Sequence, residues 1–138
     1  MTVAEPVDTP LDDTRIRHLV ERFYDRIRAD AELGPVFEAA VEDWDTHLSI
    51  LTDFWCSVML AAGRYKGNPL AVHGALPLPP ERFEALFPRW LDLWRATTAE
   101  LFAPDIAALF AEKAERIARS LQAGLFFDPA KAGRGRPG

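Results

Sequence analysis

The stretch DWDTHLSILTDFWCSVML, residues 43–60, decides the fold. Its apolar residues recur at helical intervals, and no strand alternation appears. Asp43 and Asp45 sit at the start, where acids favour the positive end of a helix dipole. His47, Leu51, Phe54 and Val58 follow at steps of four, three and four, so they share one stripe. The stripe is apolar except for its histidine. After Leu60 the loop Ala62-Gly63-Arg64-Tyr65-Lys66-Gly67-Asn68 contains two glycines and ends the helix.

Working outward, the other segments also read as helices. Asp12 or Asp13 caps a first helix carrying Ile16, Leu19, Val20, Phe23 and Ile27. Leu33-Gly34-Pro35-Val36-Phe37 turns into a short helical piece. Asn68 followed by Pro69 is a helix start, a capping side chain and then proline at the first position. That helix lasts about two turns, because Pro77, Pro79 and Pro80 prevent continuation. Two long helices follow, over 81–102 and 105–125. The Ala103-Pro104 link is tight, so these two pack antiparallel. Their apolar faces carry Trp90, Trp94, Thr97 and Leu101 on one, and Ile106, Phe110, Ile117 and Leu121 on the other. The expectation is an all-α bundle over residues 13–127, with flexible extensions at 1–12 and 128–138.

Composition narrows the function classes. The 138 residues suit one domain with a real core, and 49% of them are hydrophobic, which excludes disorder. Net charge is −5, and Lys and Arg are scattered, so no nucleic-acid surface is expected. Apolar runs are far too short for a membrane span. A secretory signal is not recognisable in 1–10, and the expected location is the cytoplasm. The single cysteine, Cys56, excludes an intramolecular disulfide and any cysteine-pair zinc site. It lies among apolar residues and reads as a small buried hydrophobe.

Three residues carry candidate chemistry. His47 stands on the apolar stripe, where a core or rim histidine is the plain alternative. His73 is pinned between Asn68-Pro69 and the prolines after Leu76, a restraint that an axial iron ligand needs. A surface histidine is the plain alternative there. The two imidazoles can face each other across a flat apolar ligand, and haem iron is commonly held by one axial histidine. Tyr24 points inward between Val20 and Ile27, and with His47 it makes a polar spot in an apolar cavity. An ordinary core tyrosine bonded to a backbone carbonyl is the alternative. Glu42, Asp43 and Asp45 beside His47 are explained by the helix dipole without a metal. No nucleophile elbow, phosphate loop or H-E-x-x-H motif is present.

In combination these residues resemble group III truncated haemoglobins over about Thr14 to Phe126. The resemblance is carried by Phe23-Tyr24, Leu33-Gly34-Pro35-Val36-Phe37, Trp44 with His47, Phe54-Trp55, Tyr65-Lys66-Gly67-Asn68-Pro69-Leu70 with His73, Leu76-Pro77, and Trp90-Leu91 with Trp94. It implies a two-over-two helical sandwich around a pocket for haem b. That haem is non-covalent, since the lone cysteine excludes a C-x-x-C-H attachment. His73 matches the proximal iron ligand. Tyr24, His47 and Trp90 match distal polar or gating positions. Phe37 matches the aromatic that packs on the haem face, and Leu51, Phe54 and Trp55 match pocket-lining positions. The segment from Phe83 to Trp90 is longer than the family spacing and contains Pro88. Either the helix begins near Pro88 after a short extra turn, or it starts earlier and kinks. Trp94, one turn on, is the alternative to Trp90 in the pocket.

The function implied is binding of oxygen or another diatomic ligand, nitric oxide or carbon monoxide, with slow oxygen release. Each distal hydrogen bond contributes about 1 kcal/mol net. Two other readings stand beside it. One is a haem enzyme, a nitric oxide dioxygenase or peroxidase-like, served by an unidentified reductase. The other is a haem-free helical module that binds an apolar ligand or a partner helix.

Overall fold

The computed structural model describes residues 11–61, 63 and 80–125. Among them are five helices and no strand: α1 (Asp13–Ala29), α2 (Leu33–Ala40), α3 (Trp44–Leu60), α4 (Pro80–Leu101) and α5 (Pro104–Leu125). The expected helix from Asn68-Pro69 with His73, and both chain ends, lie outside the described residues.

Capping chemistry sets the helix starts. The Asp12 carboxylate accepts the Arg15 N–H at 2.9 Å. Asp43 accepts the Asp45 N–H at 3.1 Å and the Thr46 hydroxyl at 2.8 Å. Pro80 and Pro104 open α4 and α5, where a missing N–H costs no helical bond. Of the two alternatives for α4, the earlier start is the one formed. The helix passes through Pro88, which cannot bond the Glu84 carbonyl. At its end α3 stops on Ala61 in the left-handed region (φ 54°), with Gly63 also left-handed (φ 67°).

Two helix pairs make the expected two-over-two sandwich. α4 packs on α5 and α1 packs on α3; α1 also lies against α4, and α2 braces α1. Ile16, Leu19, Val20, Phe23 and Ile27 of α1 are all fully buried. The core continues as a set of rings. Phe23 meets Trp94 edge-on at 4.8 Å between centroids, and Trp94 stacks on Trp55 at 4.5 Å. The Trp94 Nε1–H donates to the Phe110 carbonyl at 3.1 Å, which ties α4 to α5 inside the core. One buried cation, Arg15, donates to the Leu101 carbonyl at 3.2 Å and lies over the Phe102 ring. It places positive charge at the negative end of α4. No helix among the described residues is long and apolar enough to cross a membrane.

The corner from α1 to α2 depends on a close backbone approach. Asp30 Oδ2 accepts the N–H groups of Glu32 (3.0 Å) and Leu33 (2.9 Å), and the Asp30 carbonyl accepts Gly34 N–H at 2.9 Å. A Cβ on Gly34 would sit 2.6 Å from the Arg28 carbonyl oxygen. Gly34→Ala should therefore destabilise the fold by about 1–3 kcal/mol, the usual range for overpacking against an unyielding neighbour. A lowered urea midpoint with an unchanged slope checks it, and an unchanged midpoint would show that the corner relaxes at no cost.

Candidate functional site

The first three helices bring one aromatic group together. Tyr24 of α1 is only 6% exposed. Around it stand Phe37 of α2 (5.6 Å between ring centroids), Trp44 of α3 (6.1 Å) and His47 of α3 (5.6 Å, edge-on). His47 in turn lies 5.4 Å from Trp44 and 6.5 Å from Phe37, and its Nε2 is shielded from solvent. Sequence reasoning placed Tyr24, Phe37 and His47 here. It did not assign Trp44 a place in the site, although a residue three before His47 falls on the same helix face.

The fourth helix completes the polar spot. The Trp90 indole faces the Tyr24 phenol closely enough to offset part of the effect of its burial. It also meets Phe23 edge-on at 5.4 Å. Burial pushes the Tyr24 phenol above its ordinary range, and Trp90 opposes the shift without cancelling it. Tyr24 is thus a neutral hydroxyl at any physiological pH. A neutral phenol keeps its proton and can donate it. Trp94 has a different position. It is fully buried, stacked parallel to Trp90 at 5.8 Å, and its N–H goes to Phe110.

The pocket-side residues of α3 divide in two. Trp55 is 3% exposed and lies in the core against Trp94 and Phe110. His47, Leu51, Phe54 and Val58 are only half-buried, so the stripe read from the sequence is an apolar surface left incompletely covered. His73 lies outside the described residues. Among those described, no group of three or more His, Cys, Asp or Glu side chains is placed to hold a metal, which leaves the acids around His47 to capping.

An ion-paired rim surrounds the ring cluster. Glu38 pairs with Arg28 (3.0 Å) and accepts the Trp44 Nε1–H (3.2 Å), while the Arg28 guanidinium lies 4.4 Å over the Trp44 ring. Arg28 and Trp44 together hold the Glu38 carboxyl below its usual range. Beside α4, both oxygens of Asp30 accept the Arg89 Nε–H, at 2.7 and 2.9 Å. Arg89 and the two backbone N–H groups hold the Asp30 carboxyl down at about 2. Neither acid carries a sequence signal, because their partners are set by the tertiary fold.

Two helix pairs, with a tyrosine and a histidine meeting in an aromatic cluster between them, suit a small globin. No family model matches the chain. It is 32% identical over 115 residues to Group 3 truncated hemoglobin ctb of Campylobacter jejuni subsp. jejuni, covering 80% of this chain and 88% of that protein. The crystal structure of a group III truncated hemoglobin from Campylobacter jejuni superposes with a TM-score of 0.74 at 31% identity, covering 85% of this chain and 93% of the other. The chain belongs to the group III truncated haemoglobins. Membership in a globin family implies haem binding in general.

The Asp30 pair predicts an acid limit. Its carboxyl falls from the usual 3.8 to about 2 on folding. A carboxyl depressed in this way adds stability that is full above roughly pH 4 and is lost as pH falls through about 2. Urea midpoints should therefore drop over that window, and Asp30→Asn should flatten this part of the profile. An equal drop in the variant would assign the loss to other carboxyls.

Proposed function

We propose that the protein binds haem b non-covalently and, through it, oxygen or another diatomic ligand that is released slowly. The observation that carries this reading is the buried phenol of Tyr24 inside the cage of Phe37, Trp44 and His47. A purely apolar core gains nothing from a buried hydroxyl. A small polar ligand in that cage does need the proton.

The residues fit the group. The half-buried stripe of Leu51, Phe54 and Val58 offers an apolar wall of the kind that a flat macrocycle covers, with Phe37 and His47 at one end. Haem, when bound, supplies the iron at which a diatomic ligand is held. His73 is the residue that would hold the iron. Tyr24 would donate a hydrogen bond to the bound ligand. His47 borders the Tyr24 ring and is proposed to gate that space. Trp90 stands beside Tyr24 with its ring stacked on Trp94 of the core. A haem protein of this kind exchanges electrons with a reductase, proposed here without a named partner. Cytoplasmic residence suits a chain with one buried cysteine.

Absorption spectra of the purified protein test the reading in ferric, ferrous and carbon monoxide forms, for wild type and His73→Ala. A carbon monoxide complex that depends on His73 is expected. Failure to take up haem stoichiometrically would overturn the reading. Tyr24→Phe should release oxygen about tenfold faster or more, as loss of a hydrogen bond of about 1.4 kcal/mol implies. An unchanged off-rate removes Tyr24 from the mechanism.

A further inference from the structure

The turn of α4 that carries Trp90 is weakly held by its own helix. Pro88 has no N–H, so the bond to the Glu84 carbonyl is missing two residues before Trp90. Helices bend or loosen at such points unless something outside them takes up the restraint. Immediately after the proline, Arg89 reaches across to Asp30, and its Nε–H is shared between both carboxylate oxygens at 2.7 and 2.9 Å. Asp30 is itself fixed. It bonds the N–H groups of Glu32 and Leu33, in the corner that Gly34 closes against Arg28. That corner leads into the helix carrying Phe37, and it follows the helix carrying Tyr24. One carboxylate thus joins the α1–α2 corner to the turn of α4 that carries Trp90.

We propose that Asp30 is a positioning residue: through Arg89 it sets the turn of α4 after Pro88 and thereby the place of the Trp90 indole, edge-on to Phe23 and stacked on Trp94. Neighbouring helical residues point about 100° apart. Fixing the Arg89 side chain therefore fixes the rotation at which Trp90 leaves the helix. The cap and the clamp are separable. Asparagine at position 30 still accepts the Glu32 and Leu33 N–H groups, as in any Asx turn, but it loses the charge that holds Arg89. The inference deepens the proposed function, since it concerns the same polar spot.

The test uses the full chain and the variants Asp30→Asn, Arg89→Met and their double. The first readout is the indole N–H resonance of Trp90 by NMR, with and without haem, assigned through Trp90→Phe. Each single variant should move that resonance and speed its exchange with solvent, as a loosened helix turn implies. The double should do no more than either single, because both remove one clamp. The second readout is the C–O stretching frequency of the ferrous carbon monoxide complex, which senses donors beside the ligand. It should shift or split in all three variants. A lowered melting temperature with the Trp90 resonance unmoved would overturn the proposal, leaving Asp30 a stabilising cap alone. Additive effects in the double would also overturn it. A moved resonance with a C–O stretch that ignores both the clamp variants and Tyr24→Phe would keep the clamp and sink the ligand reading.

Discussion

The buried rings of α1 set the terms of this fold, because Phe23 and Tyr24 meet aromatic partners on different helices. Phe23 meets Trp90 and Trp94, on a helix more than fifty residues away in the chain. For both sets of contacts to form, α1 must lie against α4 as well as α3. α1 serves both packings because its fully buried residues stand at 16, 19, 20, 23 and 27, with Tyr24 beside Phe23 at the edge of that stripe. Phe23 turns into the ring core, and Tyr24 turns toward the pocket. The two neighbours differ in what they contact by one residue's rotation about the helix.

The same rotation separates core from pocket on α3. Thr52, Trp55 and Cys56 fall at intervals of three and one and are buried, while His47, Leu51, Phe54 and Val58 stand about a third of a turn away and stay half-buried. Phe54 and Trp55 are adjacent in sequence, yet their side chains cannot share a surface. Their rings meet edge-on at 5.5 Å, with Trp55 committed to Trp94. One face of α3 therefore anchors the helix and the other is available for a ligand.

Much of this was legible in the sequence. The helix starts at Asp12 and Asp43, the stop after Leu60 and the pairing of the last two helices all follow from local chemistry, namely capping side chains, glycine and short links. The half-buried stripe was legible too, because helical spacing alone defines it. Local rules could not choose between Trp90 and Trp94. One turn apart on the same helix, their rings stack parallel, and both look alike to any periodicity argument. What distinguishes them is their surroundings: Trp94 is fully buried with its N–H on the Phe110 carbonyl, while Trp90 is half-buried at the edge of that core. Nor could they reveal Asp30 with Arg89, or Arg28 with Glu38 and Trp44. Charged residues on exposed faces carry no periodic signal, and their pairing depends on how the helices meet.

The proline in α4 connects these points. A helix that places one tryptophan in the core and the next in a pocket must hold its rotation to within a small angle, and a proline weakens that hold. Downstream of Pro88 the rotation is fixed twice. Trp94 is locked by stacking on Trp55 and by its bond to Phe110, and Arg89 is locked by Asp30. Trp90 lies between these two restraints. Its own ring is half-buried, edge-on to Phe23 and stacked on Trp94. Its orientation is therefore inherited from the core on one side and from a surface ion pair on the other. Of the two, only the ion pair can be altered without opening a cavity in the core.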